Sequence, residues 1–231
     1  MFLLMAQSAK SMNFMDWEKL QYLPSLARGI LFVLALIGFG AKADFMPFHI
    51  WMPEAYPDTP SHVCAVMSGV MTKAGIYAII RIIGFLGVPA LWWGWTLIII
   101  GIISGILGIL FALAQSDLKR LLAYSTVENI GIITMGLGIT LIAITCKNPV
   151  LFVIGFAGSL LHIFNHALYK GLLFLSAGYI IQRSGIQDIN LMGGMLKRMR
   201  LAGLFFLLGS IAICGLPPMN GFISEDRKSV V

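Results

Sequence analysis

Long apolar runs alternate with short polar connections along the whole chain, and each run is close to the length that crosses a bilayer. A helix needs ~20 mainly apolar residues to cross the hydrocarbon core. Segments of ~10 residues with alternating polarity, which would indicate a membrane barrel, are not visible. Lipid cannot satisfy unpaired backbone groups, so a helix bundle is the expected architecture. The pattern predicts an all-α, polytopic transmembrane bundle with about six spans, at 28–46, 61–86, 91–114, 120–143, 149–182 and 201–216.

The first span runs into a cluster of prolines. Pro47 is followed by further prolines at 53, 57 and 60. Proline removes a backbone donor and clashes with the preceding turn, so a helix cannot continue through them. We predict a proline-broken helix near 42–60, which ends before Pro47 and is irregular from Pro47 to Pro60. Broken helices in membranes expose backbone groups that can hold ions or water.

Composition agrees with a membrane location. Of 231 residues, 58% are hydrophobic and only 11% are charged, whereas soluble domains carry about a quarter charged residues. The net charge of +6 comes from short basic clusters between the apolar runs, which suit membrane topology rather than nucleic-acid binding. By that rule the connections with most basic residues face the cytoplasm. They hold Lys119, Arg120, Arg183, Lys197, Arg198 and Arg200.

The three cysteines, Cys64, Cys146 and Cys214, lie far apart and form no C-x-x-C pair. This spacing argues against an iron–sulfur cluster or a cysteine-ligated zinc site. We therefore expect no metal and no cofactor, and we read the cysteines as small packed hydrophobes.

Ionisable side chains inside the predicted spans are the candidate functional groups, since each costs at least ~2.5 kcal/mol to insert. His162, His166 and Lys170 are four residues apart, so they share one face of a helix. Burial disfavours a charged lysine and histidine titrates near neutral pH, so such a row suits proton transfer. The relay candidates are Lys42, Lys73, His162, His166 and Lys170, with Asp44 and Glu128 as possible modulators.

Two other chemistries stay open for the histidines. His162 and His166 could bind a metal, but a zinc site needs at least a third ligand and no H-E-x-x-H pattern is present. A bis-histidine haem anchor would need a partner such as His62.

Three segments carry a resemblance to a known family. The stretch Gly40–Ala55 (GAKADFMPFHIWMPEA) resembles the broken central helix of the antiporter-like subunits of respiratory complex I, Mrp sodium/proton antiporters and group 4 hydrogenases. Segments Asp117–Thr126 and Leu161–Phe174 look like further parts of the same family. The resemblance covers about residues 28–225. The segments Ser125–Gly131 and Leu216–Glu225 look most like the large membrane subunit (component B) of hydrogenase-4 and of formate hydrogenlyase.

The resemblance implies roles and partners. Lys42 matches the central lysine of the broken helix, Lys73 a bridging lysine, and the row His162, His166 and Lys170 the next relay. Protons in that family move between half-channels, driven by a peripheral redox arm, here a hydrogenase, and other membrane subunits in the inner membrane of a prokaryote. The subunit itself has no catalytic residue, and no nucleic acid is expected. An Mrp-type antiporter or an NADH-quinone oxidoreductase subunit is the alternative within the family.

The chain departs from the family in length. Family members have many more helices, including one upstream with a glutamate that partners the central lysine and a second broken helix downstream. Residues 1–27 are expected to be an N-terminal loop or interfacial segment and 28–225 a partial proton-conducting domain. Residues 226–231 (DRKSVV) replace an expected apolar helix, and a common sequencing adapter encodes that peptide, so we expect a non-native tail. An inert truncated product is a further possibility.

Overall fold

The computed structural model describes residues 1–217 and Gly221. The α-helices are α1 (Phe2–Ala9), α2 (Ser25–Ala43), α3 (Trp51–Ala55), α4 (Ser61–Val66), α5 (Thr72–Leu86), α6 (Leu91–Leu113), α7 (Leu118–Thr145), α8 (Pro149–Ser184), α9 (Met195–Arg198) and α10 (Arg200–Ile213). Short 3-10 helices cover Phe14–Tyr22, Phe48–Ile50 and Ile189–Leu191. A π-helical turn, Met67–Met71, joins α4 to α5. The predicted all-α class is confirmed.

The bundle contains enough long apolar helices for a multi-pass membrane protein. Within the described residues, five segments are long and apolar enough to cross a bilayer: Ser25–Ala55, Ser61–Leu86, Leu91–Leu113, Leu118–Thr145 and Pro149–Ser184. The sixth predicted span corresponds to α10, whose 14 residues fall short of the ~20 that a perpendicular crossing needs. The expected polytopic arrangement is therefore present, with one short helix at its end.

The break in the first span lies within the predicted range of 42–60 and begins three residues before Pro47. Helix α2 ends at Ala43, and Asp44 adopts a left-handed conformation with φ of 66°. The backbone N–H groups of Asp44 and Phe45 both donate to the carbonyl of Gly40, the second at 3.0 Å. Because this arrangement satisfies a carbonyl that the helix end leaves free, the helix closes before Pro47 is reached.

The stretch after the break is ordered into short helices, so the prediction of an irregular segment from Pro47 to Pro60 was wrong in part. The indole Nε1 of Trp51 donates to the carbonyl of Ala41 at 2.8 Å and folds α3 back against the end of α2. The backbone N–H of Met46 donates to Ser104 Oγ of α6 at 3.0 Å. These side chains replace the backbone partners that the break removes.

Helices α6 and α7 approach closely through glycines, which lack the side chains that would keep two helix backbones apart. A Cβ atom at Gly101 would lie 2.7 Å from the carbonyl oxygen of Gly131, and one at Gly131 would lie 2.6 Å from the backbone nitrogen of Gly105. This packing fixes α7 in the bundle and places its polar face toward α8.

The N-terminal segment, expected to be a loop or an interfacial segment, contains an α-helix and a 3-10 helix. Helix α1 and the 3-10 helix after it fold over the end of α5, where Trp17 packs edge-on against Phe85 with 5.8 Å between ring centroids. Trp17 is buried, and its Nε1 donates to the carbonyl of Ser11 at 3.1 Å. The expected tail at 226–231 lies outside the described residues.

Candidate functional site

A group of buried titratable side chains lies where α5, α7 and α8 meet the end of α2. His162, His166 and Lys170 are fully buried on one face of α8, as their spacing predicts. Lys73 of α5 is 9% exposed, and Asp44 at the end of α2 is fully buried. Charged groups are costly at this depth, so their partners decide what they do.

Lys73 contacts both a histidine and the backbone. Its Nζ donates to the carbonyl of Ser68 and forms a hydrogen bond with Nδ1 of His166. The hydroxyl of Thr72 lies 3.3 Å from the same nitrogen. The π-helical turn at Met67–Met71 interrupts the regular ladder of backbone bonds, and the carbonyl of Ser68 within it accepts side-chain donors.

Lys170 is bound by the polar face of α7. Its Nζ donates to the carbonyl of Leu122 at 2.9 Å and to the hydroxyl of Ser125. It also lies within electrostatic reach of Glu128, which is half-buried one turn further along α7. The ammonium group therefore has a carbonyl, a hydroxyl and a carboxylate around it.

An amide links the remaining histidine to this group. Oδ1 of Asn129 accepts a hydrogen bond from the hydroxyl of Tyr169 at 2.7 Å and lies 3.1 Å from Nε2 of His162. Nδ2 of Asn129 donates to the carbonyl of Ser125 at 2.8 Å. The rings of His162 and His166 are nearly parallel, with centroids 6.4 Å apart. The network thus extends one turn beyond His166 on α8.

Asp44 reaches the group because α2 and α5 touch. A Cβ atom at Gly75 would lie 2.8 Å from the backbone nitrogen of Ala43 and 2.9 Å from the carbonyl oxygen of Phe39. This contact brings Asp44 within electrostatic reach of Lys73, two residues before Gly75 on α5. Neither carboxylate oxygen of Asp44 has a hydrogen-bond partner among the described residues.

Six of the seven predicted residues therefore form one connected group, and Lys42 lies apart from it. Lys42 is exposed on the last turn of α2 and makes no hydrogen bond or ion pair within residues 1–217. Its proposed role stays a prediction.

The sequence reasoning missed the groups that hold the two lysines and His162. Ser125 and Asn129 are four residues apart on α7, a spacing that mirrors the histidines on α8 and was the available signal. The carbonyls of Ser68 and Leu122 could not be found this way, because their exposure depends on how the helices meet.

The described residues do not favour the alternatives of a metal site or a haem site. In the described part of the chain, no three His, Cys, Asp or Glu side chains come together as a metal site. His62 is exposed at the start of α4, whereas Nε2 of the buried His162 is taken by Asn129.

The arrangement brings groups that can bind protons into contact with one another. Lys73 and His166 share a hydrogen bond, and both feel the charges of Lys170. Amines and imidazoles can each carry or lack a proton, so this contact has the chemistry that a proton relay would use.

Comparisons with known proteins identify the family of the chain. A family model described as NADH:quinone oxidoreductase/Mrp antiporter, TM, matches residues 1–228. The chain is 48% identical over 228 residues to hydrogenase-4 component B of Escherichia coli strain K12, covering 97% of this chain and 34% of that protein. It is 40% identical over 195 residues to formate hydrogenlyase subunit 3 of the same strain, covering 84% and 32%.

The fold also has a counterpart among solved structures. The Mrp complex from Dietzia sp. DQ12-45-1b contains a chain that superimposes with a TM-score of 0.85, over 99% of this chain and 41% of that chain. At 24% identity this likeness concerns the fold. The chain spans about a third of the length of the two curated relatives above.

Proposed function

This chain belongs to the NADH:quinone oxidoreductase/Mrp antiporter membrane family, and we propose that it carries protons within a redox-driven complex of the hydrogenase type. The observation behind the proposal is the connected group of Asp44, Lys73, His166, Lys170 and Glu128 between the helices. The similarity to hydrogenase-4 component B supports the subfamily. Because the chain spans about a third of that relative, it holds one section of the path, within residues 28–225.

The proposed transfer begins at the break in the first span. Asp44 takes up a proton and passes it to Lys73 when the amine of Lys73 is neutral, and the two side chains lie within electrostatic reach of each other. Lys73 then hands a proton from Nζ to Nδ1 of His166 through their shared hydrogen bond. Ordered water is expected to bridge steps that lack a direct contact.

Repulsion couples the protonation of the two lysines. Lys73 and Lys170 lie close enough for a positive charge on one to disfavour a charge on the other. A proton that arrives at Lys73 therefore favours release from Lys170 toward Glu128, which attracts it. His166 is within electrostatic reach of both lysines, so a positive charge on its ring is disfavoured when the lysines are charged.

The polar partners of Lys170 hold it in place for this exchange. The carbonyl of Leu122 and the hydroxyl of Ser125 accept from the charged amine. After deprotonation the hydroxyl can turn and donate back to the amine, since a serine is both donor and acceptor. Both protonation states of Lys170 are thus satisfied without moving a helix.

The partners and location follow from the same proposal. The chain would work beside other membrane subunits, with electrons handled by a peripheral hydrogenase arm, in the inner membrane of a prokaryote. The chain would hold no redox centre of its own. Lys42, by resemblance the central lysine, would exchange protons at the exposed side of the break.

The test uses the intact complex in membrane vesicles with a pH-sensitive dye and a separate assay of hydrogen chemistry. Lys170→Ala and Lys42→Ala should each abolish proton pumping and leave hydrogen chemistry partly active. Lys147→Ala, which removes an exposed lysine outside the site, serves as the control. Unchanged pumping in both variants would reject the relay. Sodium-driven exchange without any redox dependence would favour an Mrp-type antiporter instead.

A further inference from the structure

A groove runs along the outside of the bundle between α8 and α10. It has a volume of about 710 Å³, and its walls include Leu172, Leu175, Ala202 and Phe205. Leu175 is 55% exposed and Phe205 is 45% exposed. Most of this surface is apolar, which suits a hydrocarbon chain.

One end of the groove adjoins a second cavity whose lining is more polar than that of the groove. This second cavity has a volume of about 440 Å³ and shares Tyr179 and Arg198 with the groove. Arg183 lines the cavity and Arg200 lines the groove beside it. The guanidinium of Arg183 lies over the ring of Tyr179, 5.8 Å from its centre.

The positive charges of the three arginines have no acidic partner among the described residues. Arg183, Arg198 and Arg200 are exposed, and none of their side chains makes a hydrogen bond or an ion pair with residues 1–217. Three positive charges that line the groove and the adjoining cavity repel one another, so an anion bound there would reduce the repulsion. Arginine is suited to phosphate, because its planar fork binds two oxygens at once.

The length of the site matches one leaflet. Leu172 and Arg183 are both on α8, and the rise between them is ~16 Å. Half of the hydrocarbon core is ~15 Å. Tyrosine and arginine at the outer end are typical of the boundary between hydrocarbon and headgroups.

We propose that this groove binds one anionic phospholipid. Its phosphate would lie among Arg183, Arg198 and Arg200, and an acyl chain would lie along Leu175 and Phe205. Basic pockets between transmembrane helices are a recognised setting for anionic headgroups. The bound lipid would fill the space beside α10 and hold that short helix against α8.

Native mass spectrometry of the full chain in detergent micelles tests the proposal. The probe is an equimolar mixture of phosphatidylglycerol, which is anionic, and phosphatidylcholine, which is zwitterionic. The wild-type chain should retain one phosphatidylglycerol in preference. Each basic residue near an anionic headgroup contributes a factor of roughly five in binding, so the triple variant R183Q/R198Q/R200Q should lose on the order of 100-fold.

A matched control removes the same charge elsewhere. K10Q/K19Q/K147Q changes three exposed lysines outside the groove and should keep the preference. A second pair tests the apolar wall: Leu175→Trp fills the groove and should weaken retention, whereas Leu160→Trp, also exposed on α8, should not. Circular dichroism confirms that each variant keeps its helices.

Two outcomes overturn the proposal. Equal retention of the two lipids by the wild type would do so, and so would a preference that survives the arginine variant. The intact complex gives an independent result through labelling of Leu175→Cys with a lipid-soluble maleimide. Labelling that rises after delipidation supports a bound lipid. Protection that persists after delipidation means that protein covers the groove, which rejects the lipid.

Discussion

Lys73 and Lys119 are both buried lysines, yet their surroundings differ. Lys73 is 9% exposed and Lys119 is 6% exposed. Lys119 donates to the carbonyls of Pro57 at 3.1 Å and Thr59 at 2.8 Å, and so joins the start of α7 to the turn after α3. Lys73 also donates to a carbonyl, but it shares a second hydrogen bond with His166.

The difference separates two uses of a buried lysine. A lysine whose hydrogen bonds all go to carbonyls has no bonded partner that can accept its proton, so it acts as a clamp. A lysine with a histidine at one side and a carboxylate within electrostatic reach has both a group that can supply a proton and a group that can accept one. Burial of a lysine in a membrane bundle is therefore weaker support for proton transfer than the presence of a titratable neighbour.

The strongest test of this distinction between the two lysines is Lys73→Met in the intact complex. Methionine keeps the apolar length of the side chain but removes the amine between Asp44 and His166. Positioned acid–base groups contribute 10²–10⁴-fold to proton transfer, so redox-driven pumping should fall by on the order of 100-fold. Dye-monitored pumping in membrane vesicles measures this.

The Lys73→Met result has to be separated from misfolding. The variant should assemble at wild-type abundance, since replacing a buried charge by an apolar group of similar volume is often neutral for stability. Pumping within two-fold of wild type in a well-assembled complex would mean that Lys73 is no more than a second clamp.

The matching change, Lys119→Met, should act on stability instead. It leaves the carbonyls of Pro57 and Thr59 without their donor, and hydrogen bonds to charged groups contribute about 1.5–3 kcal/mol. We expect the free energy of unfolding, measured by titration with denaturing detergent, to fall by about that amount. Pumping per assembled complex should stay unchanged, and a selective loss of pumping would contradict the distinction between clamp and relay.

Two glycines of α5 test how the site is positioned, because only Gly75 packs against another helix and Gly84 does not. A Cβ atom at Gly75 would meet backbone atoms of Ala43 and Phe39, whereas nothing lies within 4 Å of one at Gly84. Overpacking costs about 1–3 kcal/mol, so Gly75→Ala should lower the free energy of unfolding by that order and reduce pumping.

Gly84→Ala is the control for Gly75→Ala on the same helix. It should be neutral or stabilise the protein by about 0.5–1 kcal/mol, since alanine favours helices over glycine. Equal effects of the two substitutions would show that the contact between α2 and α5 does not position Asp44.

Local periodicity explains which parts of the site could be predicted. Spacing of four placed His162, His166 and Lys170 on one face, and the depth of Lys73 in its span placed it in the interior. These are properties of one helix at a time. The exposed position of Lys42 could not be read from the same pattern, because its neighbours in sequence give no sign of which helix faces it.

Features that depend on backbone conformation or on the packing of several helices could not be predicted from the sequence. The start of the break at Asp44 rests on a left-handed residue and a shared carbonyl at Gly40, which outweigh the proline signal at Pro47. The π-helical turn at Met67–Met71 lies in a run that reads as an ordinary helix. Ser125 meets Lys170 because α7 and α8 pack in one particular register.

Asp44→Asn should give the smallest effect. Asparagine tolerates the left-handed conformation at this position and keeps the shape of the side chain, so the fold should be unchanged. It cannot bind and release a proton as a carboxylate does, so the supply to Lys73 slows while the hydrogen bond between Lys73 and His166 stays intact.

We therefore expect a several-fold lower pumping rate for Asp44→Asn than for Asp58→Asn, which changes an exposed aspartate in the turn after α3. Initial rates of dye response measure the difference. A complete loss of pumping would make Asp44 as essential as Lys73, and the break would then be the obligatory entrance to the relay. An unchanged rate would mean that protons reach Lys73 from another side, and Asp44 would be a buried carboxylate with no part in the transfer.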